Sequence, residues 1–315
     1  LLPKHLIDYV LLHELVDASI YANMGEMDNK GVDANLEYQT RIGNKVGLRL
    51  FGNLTYSKNK IVFRDEPAMQ YAYQKSEGTR YGEFYGYIAE GYFQSEEEIK
   101  KSPRQMRELA PGDIKYKDLN DDGVIDANDQ CYLGKSWFPS WSYGMGFNIN
   151  YHNFDLALFF QGVSDVSIMA NGGSIDTGNG DWGASGVGIV PFTGMGLNPS
   201  NVITKALDRW TADNPRADAW YPRMTANATT NDNNYVNSTH WLKDGSYLRL
   251  KQASLGYTLE NKKLMDKGIE YLYFYLSGQN LLTFSKFKLW DPELGSNGAK
   301  YPLSRMVTLG MRVSF

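Results

Sequence analysis

Cys131 is the only cysteine in 315 residues, so no internal disulfide can form. The four histidines, His5, His13, His152 and His240, are scattered and make no ligand spacing. The sequence has no Gly-x-Ser-x-Gly elbow, no HExxH, no P-loop and no GxGxxG opening a helix. Asp and Glu are frequent, but spacing singles out no pair, so no catalytic residue is assigned and an enzyme is not expected. Net charge is −4, which leaves no basic footprint for nucleic acid. No run of about 18 apolar residues occurs, which excludes a helical membrane span but not strands, whose alternation averages to near neutral. Leu1-Leu2-Pro3-Lys4-His5 has no signal-peptide layout.

Aromatic residues are plentiful, at 14% with Tyr 22 and Trp 7. They suit interfacial girdles or a surface that contacts sugar or peptide. Residues 306–315 show how they are arranged. Val307, Leu309, Met311, Val313 and Phe315 alternate with Thr308, Gly310, Arg312 and Ser314. A strand sends successive side chains to opposite faces, so this one has an apolar and a polar face. An edge strand of a soluble sandwich would show the same pattern. A membrane barrel strand would put its apolar face on lipid and its polar face on the lumen.

The rest of the chain repeats the pattern. Ala34, Leu36, Tyr38, Thr40 and Ile42 oppose Asp33, Asn35, Glu37, Gln39 and Arg41. Gly43-Asn44 then turns the chain into Val46, Leu48, Leu50, Leu54 and Tyr56. Trp141, Tyr143, Met145, Phe147, Ile149 and Tyr151 form one face of the next strand, which turns at His152-Asn153 into Phe154, Leu156, Leu158 and Phe160. Tyr247–Leu259 and Glu270–Phe284 follow, the former changing phase near Leu248 and Leu250. The reading is about seven strands of about ten residues, the length of a tilted crossing. Leu6–Val16 fits either a short helix or an incoming strand.

Short and long connections alternate. Residues 58–140 and 164–245 are the long ones, and segments of that length are usually functional. In an up-and-down barrel this puts the long loops outside and the short turns on the periplasmic side. The strand-like Glu83–Phe93 then stays within an external loop, because a further crossing would break the up-down order. The charged run Ser95–Arg104 reads as a solvated helix in the same loop.

The first loop carries a calcium-type sequence at 118–129. Asp118, Asn120, Asp122, Asp126 and Asp129 supply side-chain oxygens, Val124 a carbonyl, and Gly123 the sharp turn. Position 12 is Asp129 rather than Glu, and no flanking helix pair is evident, so a bound Ca²⁺ would be structural. The same acidic residues could also hold a turn together without metal. In the second loop, Trp182, Trp210, Trp220, Tyr221 and Trp241 can stack on a ligand, meet a partner protein or form the loop's own small core.

Five stretches carry a resemblance. They are Asn23–Asp33, Gly112–Asp126, Tyr247–Lys251, Ser277–Thr283 and Asp291-Pro292-Glu293, followed by the terminal Phe315. In that order they resemble the C-terminal part of SusC/RagA-type TonB-dependent outer-membrane transporters. Asp121 departs from the glycine common there. The resemblance spans nearly the whole of 1–315. It implies an all-β, transmembrane, antiparallel up-and-down barrel with a plug and a TonB-contacting segment, neither of which this chain contains. A chain beginning partway through a longer precursor would fit that. It also implies import of oligosaccharides or peptides with a SusD-like surface lipoprotein. A soluble, calcium-stabilised carbohydrate-binding β-protein is the alternative that composition leaves open.

Overall fold

A computed structural model describes residues 25–43, 45–171, 204–225, 233–298 and 300–315. Its strands are β1 (Gly25–Ile42), β2 (Val46–Arg64), β3 (Glu83–Gly86), β4 (Ala89–Tyr92), β5 (Ile114–Tyr116), β6 (Cys131–Ser136), β7 (Trp141–Tyr151), β8 (Phe154–Ser164), β9 (Ser167–Met169), β10 (Leu242–Asp244), β11 (Tyr247–Leu259), β12 (Tyr271–Ser285) and β13 (Met306–Ser314). The long ones form a 7-stranded sheet in chain order, β1-β2-β7-β8-β11-β12-β13. Every neighbouring pair is antiparallel. This is the up-and-down meander that the alternation predicts.

Register joins the apolar faces of the strands into one. Tyr38 pairs with Leu50 and Leu50 with Phe147. Phe147 pairs with Leu158, and Leu158 with Ala253. Further along, Leu255 pairs with Leu276 and Leu276 with Leu309. The phase change near Leu250 is a bulge, because Leu250 pairs with Leu282 while Gln252 pairs with Gln279. The partner strand takes up its one extra residue through Asn280, whose φ is 53°. Beyond the bulge, Leu248 and Leu250 rejoin the apolar face.

Nothing in the described residues covers that face. Leu309 is 80% exposed, Leu36 76% and Val307 68%. The opposite face carries the Glu37–Arg49 ion pair at 2.7 Å and the stacked rings of Phe51 and Phe159. Glycines admit these large rings. A Cβ on Gly146 would stand 2.4 Å from the Phe51 ring, and one on Gly310 2.3 Å from that of Tyr275.

The first two strands are longer than the apolar pattern predicts. β1 begins at Gly25 rather than Asp33, and β2 runs to Arg64, into what the sequence assigns to the loop. The tight turn at His152, with φ 51°, is as expected. Glu83–Phe93 lies outside the large sheet, as the up-down order requires, and contributes β3 and β4. The charged run gives a six-residue helix, Glu96–Lys101, capped by Ser95. Residues 1–24, including Leu6–Val16, His5 and His13, lie outside the described residues, as do Asn44 and Trp182.

Candidate functional site

The connections after β2, β8 and β12 emerge at one end of the sheet and share a core. Phe84, Tyr87, Tyr92, Ile114, Tyr116 and Ile125 of the first pack with Met169, Trp210, Tyr221, Tyr235 and Trp241 of the second, and Trp290 of the third lies against them. Buried polar bonds tie the loops together. The Tyr116 hydroxyl donates to the Asn233 carbonyl at 2.6 Å, and within the second connection Trp241 Nε1 donates to the Asn234 carbonyl at 2.7 Å. Asn234 Nδ2 donates to Asp113 Oδ1 at 2.7 Å, and Arg223 Nη2 to Asp113 Oδ2 at 2.9 Å. Asp113 and Asn234 are fully buried, where an unpaired polar group is costly. The loops are therefore a packed body, cross-linked over sequence separations above 100 residues.

The aromatic residues selected from sequence divide accordingly. Trp210, Tyr221 and Trp241 are buried in that core, with Tyr221 and Trp241 fully enclosed. These three rings pack inside the loop body itself. Trp220 is half-buried, its ring 5.5 Å from Trp241 and 5.2 Å from Lys243 Nζ. The buried asparagines Asn233 and Asn234 were missed. In sequence they look like any polar loop, and no local signal separates them.

His240 lies beside Trp241, with Nε2 3.3 Å from the Tyr92 hydroxyl and 3.2 Å from the Trp220 carbonyl. Burial, helped by the nearby Lys243 charge, holds its pKa down to about 3. Burial also lowers Lys243, whose Nζ donates to the His240 carbonyl.

The acidic loop sits on the same body. Ile125 is buried in the shared core, and the Ile125 N–H donates to the Arg104 carbonyl at 2.8 Å. Gly123 has φ 82° and donates its N–H to Asp118 Oδ2 at 2.8 Å. The Asp122 N–H donates to Asn120 Oδ1, and the Val124 N–H to Asp122 Oδ1. Asp129 is buried, and its two oxygens accept the N–H groups of Leu119 and Asp126. Asp126 Oδ1 accepts the Asn128 N–H.

The carboxylates thus face the loop's own amides. Among the described residues, no three His, Cys, Asp or Glu side chains converge as a metal centre. Yet the donor set still fits a hard cation. Asp118 Oδ1 is buried without a hydrogen-bond partner. A carboxylate oxygen that accepts one N–H also keeps a second lone pair for a ligand.

With a seven-stranded up-and-down wall and its loops gathered at one end, the fold is that of part of an antiparallel β-barrel. The RagAB peptide transporter shares it, with a TM-score of 0.66 at 22% identity over 94% of this chain and 30% of that one. The RagAB peptide importer in its open-open state matches with a TM-score of 0.64 at 22% identity, over 92% and 29%. No family model matches the sequence.

Among curated proteins, TonB-dependent receptor P3 of Formosa agariphila is 26% identical over 321 residues, covering 93% of this chain and 29% of the receptor. TonB-dependent receptor P26 of the same organism is 28% identical over 319 residues, covering 93% and 30%. The resemblance to TonB-dependent transporters read from the sequence holds along nearly the whole chain. The chain spans about 30% of the length of these curated relatives.

Proposed function

We propose that this chain is the C-terminal wall and mouth of a TonB-dependent outer-membrane importer. The uncovered apolar face, continuous in register across seven strands, carries this reading. A soluble sheet would need a covering layer, whereas lipid supplies one here. That observation also disfavours the soluble binding protein. In this reading Trp141, Tyr143, Met145, Phe147, Ile149 and the alternate residues Val307, Leu309, Met311, Val313 and Phe315 face lipid, and the shared loop body is extracellular. No reaction is assigned to any side chain.

The cargo in this reading is an oligosaccharide or a peptide. A SusD-like lipoprotein closes over the loop body, and TonB acts through a segment outside this chain. Two observations support the lid: the loops are far longer than strand connection needs, and ordering them costs conformational entropy that recognition would justify. The peptide transport in the RagAB names supports a peptide cargo for that relative and makes peptides the first substrates to test here. Ca²⁺, held by Asp118, Asn120, Asp122, Asp126, Asp129 and the Val124 carbonyl, would neutralise the acidic turn and fix it to the loop core.

The test is made in the full-length transporter. Shortening residues 171–240 is expected to abolish uptake and capture of the lipoprotein while heat-modifiable gel migration shows an assembled barrel. Uptake and capture both unchanged would overturn the assignment.

A further inference from the structure

On the lipid-facing side, the last row at the loop end of the apolar band is Val32, Tyr56 and Trp141. Val32 pairs with Tyr56 and Tyr56 with Trp141, and the Tyr56 and Trp141 rings are 4.5 Å apart. An aromatic pair at the end of an apolar band marks the level of the membrane interface. β1 and β2 continue past that level, whereas β7 starts at Trp141.

The next row on this face pairs Lys30 with Lys58, and the row after it pairs Asp28 with Lys60. Two residues along a strand is about 6.6 Å, so the lysines stand roughly 7 and 13 Å beyond the aromatic row. All three are exposed, and none has an ion-pair partner among the described residues. Lys30 and Lys58 are directly opposite, with Cβ atoms about 5 Å apart, a like-charge pairing that weakens a sheet unless an anion lies between them. The hydrophobic effect gives no reason for it. β1 and β2 therefore spend part of their extension on presenting cations just above the lipid band.

We propose that Lys30, Lys58 and Lys60 form a site for the phosphate groups of outer-leaflet lipid headgroups. The proposal rests on the membrane reading above. Phosphate is the matching chemistry. It carries the charge that the lysine row lacks, it has several acceptor oxygens to bridge two ammonium groups, and it lies in the headgroup layer at this height. A cation near an anionic membrane surface contributes about 1 kcal/mol, or about fivefold in affinity. Three acting together would hold a lipid against the β1–β2 ribbon.

The test uses full-length transporter in detergent and native mass spectrometry. The probes are lipid A carrying its phosphates, the same lipid enzymatically dephosphorylated, and inorganic phosphate. The variant is Lys30→Gln, Lys58→Gln, Lys60→Gln. Its charge-matched control is Lys262→Gln, Lys263→Gln, Lys267→Gln, in the turn at the other end of the sheet. The triple variant should lose about tenfold or more of its affinity for phosphorylated lipid. The control should lose none, and dephosphorylated lipid should bind wild type and variant alike. Equal retention by the triple variant, an equal loss in the control, or displacement by inorganic phosphate as effectively as by lipid would each overturn the site. Heat-modifiable migration separates the two claims: a variant that migrates as a folded barrel and still retains lipid refutes the lysine site alone. A wild-type protein that stays in aqueous buffer refutes both.

Discussion

Arg249 and Asp291 join two distant stretches of the chain, with Arg249 Nη2 2.5 Å from Asp291 Oδ1. Glu293 adds a second carboxylate, its Oε2 3.2 Å from Arg249 Nη1. The Arg249 side chain is 1% exposed and lies over the Tyr247 ring. The Tyr247–Lys251 and Asp291-Pro292-Glu293 stretches, separate parts of the resemblance, are thus one structural unit. It pins the β12–β13 connection to the top of β11.

Removing one partner of such a pair leaves a buried charge uncompensated, which costs about 3–5 kcal/mol. Asp291 keeps 19% exposure, so Asp291→Asn should fall at or below the low end of that range. In urea unfolding from lipid vesicles, Asp291→Asn should lower the midpoint. Arg249→Met, which removes the buried charge itself, should lower it less. An Asp291→Asn midpoint equal to wild type would mean that water compensates the guanidinium.

The second prediction concerns orientation. Met145 is 47% exposed and Leu309 80%, both on the continuous apolar face. Arg at either position should cost about 2–4 kcal/mol if it lies near the bilayer midplane. Thr308→Arg, one residue away on the opposite face, should cost far less. Folding titrations into vesicles measure all three, and equal costs on the two faces would contradict the lipid-facing assignment.

The fold was legible because a period of two is a local signal that lipid exposure does not blur. Even the bulge showed, as a break in phase near Leu250. The starts of the ribbon were not legible. Below Val32 and above Ser57 the strands leave the apolar band, and Lys30, Lys58 and Lys60 carry no hydrophobic alternation to read. The loop core was hidden for a different reason. Tyr116 meets Asn233 across 117 residues, and Trp241 packs on Trp220, Tyr221 and Tyr235 at irregular spacings within its own connection, so neither has a sequence period. For the acidic loop, residue types and turn geometry were readable. That Ile125 anchors it in a core was not.

A third prediction follows from Asp118. One of its oxygens accepts the Gly123 N–H and the other is buried without a partner. Titration calorimetry should detect binding at millimolar calcium or below, abolished by Asp118→Ala with Asp122→Ala. Hydrogen exchange should then speed up over residues 112–134 and stay unchanged in β7, β8 and β11. No heat at millimolar calcium would leave the loop as a self-bonded acidic turn.

The last prediction uses His240. Its folded pKa of about 3 lies below the ordinary 6.5 because burial, and then Lys243, disfavour the cation. Between those values the unfolded loop binds a proton that the folded loop refuses. Stability is therefore fully present above pH 6.5 and is lost as pH falls toward 3. Asp208 and Glu98 also have lowered pKa values, but as carboxylates they lose their contribution only at the acid end of this window. His240→Gln keeps a donor for the Trp220 carbonyl and removes the titrating group. Comparing the urea midpoint of the loop body at pH 7 and pH 4.5, followed by tryptophan fluorescence, isolates the histidine. Wild type should lose stability between these two values and His240→Gln should lose clearly less. An identical loss in both would place the acid sensitivity elsewhere in the loops.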